Sequence, residues 1–435
     1  MTPTEAGILG FCLMVVLVLL SVHVSFAIII SGFIGLALII GIEPALSSMA
    51  ILSFERVTDY TFAVIPLFML MSSFIANTNI GSEAYQTSRA LIGQAKGGLA
   101  MATVGATGLF AACTGSSMAG AIAMAKIAYP EMERYKYESK LSLGTIAAGA
   151  TLGILIPPSM GFILIGILTE ISIGKLFMAG IIPGILEIVF YIVTIFILCR
   201  FNPQLGPAGP KTTVKQKIGS LRLTWPVAAL FLLIIGGIYA GVFTAAEAGA
   251  IGAFGALVIS LIKKQMTRAS FIDCILETAQ ITGMMIALII GAFIFKQFLA
   301  VTRIPFVFSD WVAALEISKY FIVAIIVFVY IILGSIFDIY AIIVMTTPII
   351  FPTMMALGFN PLWFGVIMVR LMEMGEITPP FGFNLFALSG SLKGIRITDL
   401  YRGVVPFLIA DVLHIALLIS IPALSTFLPD MMISK

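Results

Sequence analysis

Four short stretches carry the polar chemistry of an otherwise apolar chain. Cys113–Gly120 reads Cys-Thr-Gly-Ser-Ser-Met-Ala-Gly, and Gly334–Ala341 reads Gly-Ser-Ile-Phe-Asp-Ile-Tyr-Ala. Gly153–Gly161 holds the adjacent prolines Pro157 and Pro158. Val369–Leu385 holds Arg370, Glu373, Glu376 and Asn384 around Thr378-Pro379-Pro380. Hydroxyls and backbone carbonyls suit a hard cation, because oxygen dipoles hold such an ion without a fixed negative charge. Arginine offers a planar fork that matches a carboxylate. Asp338 is bracketed by apolar residues, and an ionisable group inside a membrane segment is functional unless an ion pair or water satisfies it. Arg370 and Glu373 stand i, i+3 on a helix, so an internal pair competes with a carboxylate-binding role. For Cys113–Gly120 a plain packing face of small residues competes. A serine-hydrolase arrangement does not fit. Gly115-Ser-Ser117-Met-Ala119 lacks the last glycine of G-x-S-x-G, and His23 and His414 lie in unrelated apolar stretches.

The elements that position these residues are membrane helices. The chain has 435 residues, of which 60% are hydrophobic and 10% charged, and its mean hydropathy is +1.14. Soluble domains carry about 25% charged residues. Many apolar runs approach or exceed the ~18 residues that cross a bilayer, and the alternation of an outer-membrane barrel is absent. The fold class is therefore an all-α polytopic membrane protein whose first partner is the lipid bilayer. The N-terminal segment lacks a basic start and reads as a retained helix, not a cleavable signal. The longest polar stretch is Arg200–Arg222. Cys12, Cys113, Cys199 and Cys274 are scattered and read as small hydrophobes. No G-x-x-x-x-G-K-[ST] loop supports a primary pump. No enzyme activity, bound cofactor or nucleic-acid partner is expected.

Lys and Arg collect in cytoplasmic loops. Placing Arg200–Arg222 and Lys263–Arg268 on that side leaves two helices between them, with a turn near Gly241–Thr244. Arg89–Lys140 and Lys393–Arg402 then also become cytoplasmic, and most of the 24 Lys and Arg lie inside. Both termini fall in the periplasm. This topology requires Gly97–Pro130 and Tyr320–Pro348 to be re-entrant hairpins entering from opposite faces.

An internal repeat supports that demand. Gly153-Ile-Leu-Ile-Pro157-Pro158 recurs as Gly375-Glu-Ile-Thr-Pro379-Pro380, about 220 residues on. Gly115-Ser116 matches Gly334-Ser335, Gly180-Ile-Ile-Pro183 matches Gly403-Val-Val-Pro406, and Thr78-Asn-Ile80 matches Thr302-Arg-Ile304, in the same order. The topology gives the two copies opposite orientations. Inverted repeats with helices interrupted at matching places mark the binding site of a secondary transporter. A proline pair costs about 3 kcal/mol or more in a helix interior, and here the break exposes carbonyls and helix ends to a central cavity. Half-helix N-termini favour an anion beside the cations. A separate likeness, Thr2-x-x-Glu5 against Thr244-x-x-Glu247, is a capping box on two helix starts.

The expected organisation is 1–60 as N-terminal scaffold helices and 61–202 as the first repeat, with hairpin 97–130 and broken helix 141–168. Residues 203–270 form a cytoplasmic loop and scaffold pair. Residues 271–435 form the second repeat, with hairpin 320–348 and broken helix 361–388. One sodium ion is expected near Ser116, Ser117, Gly149, Gly153 and Pro157. A second is expected near Gly334, Ser335, Met374, Gly375, Thr378 and Pro379. The solute is expected between them, near Ser116, Ser117, Ser159, Asp338, Arg370 and Asn384.

Thr378-Pro-Pro-Phe-Gly-Phe-Asn384-Leu, preceded by Glu373-Met-Gly375, resembles the T-P-P-x-G-x-N-L signature of the large membrane subunit of TRAP (tripartite ATP-independent periplasmic) transporters. Gly153–Ser159 and Thr114–Gly120 look like its first-repeat counterparts. The resemblance covers essentially the whole chain. It implies an elevator-type fold of the ion transporter superfamily in a bacterial inner membrane, and sodium-coupled uptake of an organic acid. It also implies two partners, a small four-helix membrane subunit and a periplasmic substrate-binding protein. Arg370 and Glu376 depart from the pattern. An arginine there would suit an acidic sugar such as sialic acid, with C4-dicarboxylates as the other common solute. A stand-alone carboxylate transporter of the same superfamily is the alternative.

Overall fold

In a bilayer every backbone N–H and C=O must find its partner within the chain, and apolar segments of this length do so as helices. The computed structural model describes residues 2–392 and 394–432; Lys393, counted above among the cytoplasmic cations, lies outside them. The chain opens with α1 (Pro3–Leu19), α2 (Val24–Ile40) and α3 (Ile42–Thr58). A 3-10 turn, Tyr60–Ala63, leads into α4 (Val64–Ala76), and the path bends there by 56°. After α5 (Ile80–Ile92) come α6 (Gly98–Thr114) and α7 (Ser117–Arg134), joined only by Gly115-Ser116. Next are α8 (Ser139–Leu155), α9 (Met160–Thr169) and the long α10 (Ile173–Phe201).

The second half follows the same plan. It runs through α11 (Val214–Tyr239), α12 (Ala245–Ile262), α13 (Arg268–Thr302) and α14 (Ile304–Ala314). Then come α15 (Lys319–Ile336) and α16 (Ile339–Ala356), joined by Phe337-Asp338. The chain closes with α17 (Pro361–Glu376), α18 (Phe383–Ser391), α19 (Ile397–Ser420) and α20 (Ala423–Asp430). Among the described residues, 8 segments are long and apolar enough to cross a membrane, or 9 if the bent pair at Asp59 counts as one span. The protein is therefore multi-pass. Thr2 and Thr244 cap α1 and α12 through reciprocal bonds with Glu5 and Glu247.

Similar pairings recur in the two halves. α2 lies on α13 and α12 on α4; α6 lies on α8 and α15 on α17. The second half of each interrupted helix crosses to the other half of the chain, α9 onto α16 and α18 onto α7. Small residues allow this closeness. A Cβ on Gly144 of α8 would sit 2.1 Å from the Gly403 carbonyl of α19. Every residue of Leu141–Leu155, Met160–Leu168 and Leu362–Glu376 is buried. α8, α9 and α17 are thus enclosed by protein, whereas α18 leaves Phe383 and Phe386 exposed. α6, α8 and α17 are about 25 Å long at 1.5 Å per residue, short of the ~30 Å apolar core.

Three boundaries differ from the sequence expectation. The second arm of the later hairpin does not end at Pro348. α16 continues through Pro348 and Pro352 to Ala356, as α7 continues past Pro130. The buried faces of both helices offset the lost proline donors. The polar stretch Arg200–Arg222 is a loop only over 202–213. Thr213 and Gln216 form a capping box that starts α11, so Lys215 and Lys217 ride on a helix.

Candidate functional site

Each interrupted helix is met at its break by the turn of a helix pair. α8 makes its last intrahelical bond from Ile156 N–H to the Leu152 carbonyl, and the carbonyls beyond it lack helical donors. A Cβ on Gly153 would lie 2.9 Å from the carbonyl carbon and oxygen of Ser116. Gly115 has φ +58°, and a Cβ there would meet the Pro158 carbonyl at 2.8 Å. In the second half, a Cβ on Gly375 would lie 2.5 Å from the carbonyl carbon of Gly334. Gly382 has φ +59° and donates its N–H to the Ser335 carbonyl at 3.1 Å. Pro157-Pro158 and Pro379-Pro380 are both cis. Glycines thus let backbone touch backbone where carbonyls have no helical partner. Such a place can hold a desolvated cation through dipoles.

Side chains complete the two turns. Ser116 caps α7 by accepting the Ala119 N–H at 3.3 Å. Ser117 donates to Glu376 Oε2 at 2.6 Å, and Asn384 Nδ2 donates to the same oxygen at 2.9 Å. One carboxylate therefore ties the first turn to the second interrupted helix. Asp338 caps α16 by accepting the Tyr340 N–H at 3.0 Å. Ser335 donates to the Ile332 carbonyl and Thr378 to the Met374 carbonyl, at 2.8 and 2.7 Å. Met374 is buried beside them.

A cavity of about 660 Å³ lies where both turns face α4, α13 and the α1–α2 connection. Ser116, Ser117, Asp338 and Glu376 line it, as do Ser73 and Glu277, which bond to each other at 2.5 Å. Ser72 reaches from α4 to the Thr114 carbonyl at 2.7 Å. A larger cavity of about 960 Å³ opens between the 3-10 turn, the α9–α10 corner and the α11–α12 turn. None of the expected site residues lines it.

Of the expected site residues, Ser116, Ser117 and Asp338 line the central cavity, and four of the others are placed as follows. Arg370 does not line the central cavity. Its Nη2 reaches Asp411 Oδ1 at 2.5 Å and Glu187 Oε1 at 3.3 Å, its Nη1 stands 3.7 Å from Glu373, and its Nε donates to His414 Nδ1 at 3.1 Å. All these carboxylates are fully buried, so the arginine is held by internal charges and cannot turn to a solute. Ser159 is a buried cap that accepts the Phe162 N–H at 3.4 Å. Asn384 stands behind Glu376 and reaches the cavity only through it. Gly149 lies one turn before the break, against Thr107 of α6.

Sequence reasoning missed Glu376 as a cavity residue, and Glu187 and Asp411 as partners of Arg370. A signal existed for the pair. Each is a lone carboxylate shortly after a repeat landmark, Glu187 after Pro183 and Asp411 after Pro406. An ionisable residue in an apolar helix always needs a partner.

Residues 11–424 match the family described as "Tripartite ATP-independent periplasmic transporter, DctM component". The C4-dicarboxylate TRAP transporter large permease protein DctM of Pseudomonas aeruginosa is 35% identical over 401 residues, covering 92% of this chain and 93% of that protein. The ectoine TRAP transporter large permease protein TeaC of Halomonas elongata is 30% identical over 369 residues, covering 84% and 86%. Among solved structures, the YdaH transporter of Alcanivorax borkumensis superposes with a TM-score of 0.62 over 88% of each chain, at 14% identity. That likeness shows a shared fold.

Proposed function

The chain belongs to the DctM-component family of tripartite ATP-independent periplasmic transporters, and from that premise we propose that it couples solute uptake to sodium by an elevator movement. It is a transporter permease and not an enzyme. The carrying observation is the pairing of two interrupted helices with two helix turns around one cavity. Each pairing brings backbone carbonyls together without a fixed positive charge, which suits an alkali cation. The two halves act as inverted repeats, and α6–α9 with α15–α18 form the moving domain. α2, α4, α12 and α13 form the scaffold, and both termini face the periplasm. A small membrane subunit and a periplasmic binding protein complete the system, which argues against a stand-alone transporter.

Sialic acid as the solute needs Arg370 as a carboxylate clamp. With Arg370 bound to Asp411 and Glu187, that support is gone. Relatives named for a C4-dicarboxylate and for ectoine stand at 35% and 30% identity, so likeness alone does not select the solute. The proposed cargo is a small organic acid.

Sodium coupling predicts that proteoliposomes holding this chain and its two partners lose at least nine-tenths of uptake when choline replaces external sodium. Undiminished uptake in choline removes sodium from the mechanism. Asp338→Asn tests the second turn. Asparagine caps a helix as well as aspartate does, so α16 should form and the variant should insert normally. Uptake should fall several-fold, because only the charge facing the cavity is lost. Wild-type uptake across a range of sodium concentrations would show that this charge has no part in transport.

A further inference from the structure

The wall of the central cavity has a surplus of acceptors and negative charge. Glu277, Asp338 and Glu376 line it, and among the described residues no Lys or Arg does. The arginine nearest in sequence, Arg370, is taken up by Asp411, Glu187 and Glu373. Glu277 and Asp338 each accept a bond through one oxygen, from Ser73 and from the Tyr340 N–H, and neither is fully buried. Glu376 differs. It is 2% exposed, both of its donors reach Oε2, and among the described residues no donor reaches Oε1. Behind it, Asn384 Oδ1 is a buried acceptor without a partner. Glu376 Oε1 opens onto the cavity without a donor, so a bound donor or cation can pair with it.

We propose that the solute selected here is a small zwitterion, whose cationic nitrogen bonds Glu376 while its carboxylate faces the sodium ions. This rests on the uptake reading above and on its two sodium sites. Three carboxylates and, among the described residues, no Lys or Arg make the wall acidic. A dianion adds to that negative charge in a low-dielectric site, where like charges repel far more than in water. A zwitterion leaves the net charge unchanged and supplies the missing donor. Glu376 is thereby a specificity-determining residue.

The test uses the purified full chain in lipid nanodiscs, so that a binding protein's own selectivity does not enter. Thermal unfolding is followed during titration with succinate and with 4-aminobutyrate, which match in length and differ by one carboxylate exchanged for an ammonium. Each titration is run in sodium chloride and in choline chloride. In sodium, 4-aminobutyrate should half-saturate at a concentration at least tenfold below that of succinate. Glu376→Gln keeps an oxygen for Ser117 and should bring the two within about threefold of each other. Stronger stabilisation by succinate, or none by either compound, overturns the proposal. An unchanged preference in Glu376→Gln overturns the assignment to that residue. If Glu376→Gln does not fold, the wild-type ratio still decides for or against the zwitterion. Equal shifts in choline and sodium would remove sodium coupling and leave the charge preference readable, so the two failures are separate.

Discussion

Gly375→Ala is expected to reduce sodium-driven uptake at least tenfold while the protein still folds and inserts. The added methyl would sit 2.5 Å from the Cα and carbonyl carbon of Gly334 and 3.0 Å from the Ser335 nitrogen. All three are backbone atoms, so no side-chain rotation relieves the contact. Alanine does gain helix propensity over glycine, by up to about 1 kcal/mol. Overpacking a tight site costs about 1–3 kcal/mol, and here it must push the α15–α16 turn off the interrupted helix. The carbonyls proposed to hold a sodium ion move apart with it. Gly153→Ala repeats the experiment at the other break, where the contact is 2.9 Å to Ser116, and a smaller loss is expected. Gly283→Ala is the control, because a Cβ there meets nothing within 4 Å. Uptake and sodium dependence are measured for all three. Gly375→Ala transport at the wild-type rate and sodium affinity would mean that this contact does not shape the site.

Much of this arrangement is legible in the sequence because it is built from backbone. A proline pair can only end a helix, and glycines that recur at fixed distance from it mark close approach. Pro157, Pro379, Gly153 and Gly375 therefore disclose the breaks before any coordinates. The helix turns at Gly115-Ser116 and Phe337-Asp338 follow from small or polar residues stranded in apolar runs. Side-chain direction is less legible. Arg370, Glu373 and Glu376 share one short helix, and spacing alone does not say which faces the cavity. Glu376 lies nearly two turns beyond Arg370 and at the break, where the helix wall opens. Arg370 lies deeper, on the face that α10 and α19 cover. The partners that hold it, Glu187 and Asp411, come from helices separated by more than 200 residues of chain. Nothing local in the sequence pairs them. The prolines inside α7 and α16 mislead for a related reason, because tertiary burial sustains a helix that local rules would end.

Arg370→Met should therefore act on stability first. Removing the guanidinium leaves Glu187, Glu373 and Asp411 buried with no cation. Breaking a buried ion pair by deleting one partner costs about 3–5 kcal/mol, and here one arginine serves three carboxylates. Glu187 retains the Thr151 hydroxyl at 3.1 Å, which offsets only part of the loss. The α17 contacts to α10 and α19 would loosen together, since Arg370 alone bridges all three through charge. Purified Arg370→Met should show a sharply lower unfolding temperature or fail to yield monodisperse protein, and saturating solute should not restore it. Arg370→Lys keeps the charge without the fork and should fall between the two. A solute contact would leave a different signature, with wild-type thermal stability and only a raised KM for uptake. That outcome would return Arg370 to the binding site and require the ion cluster to open during transport.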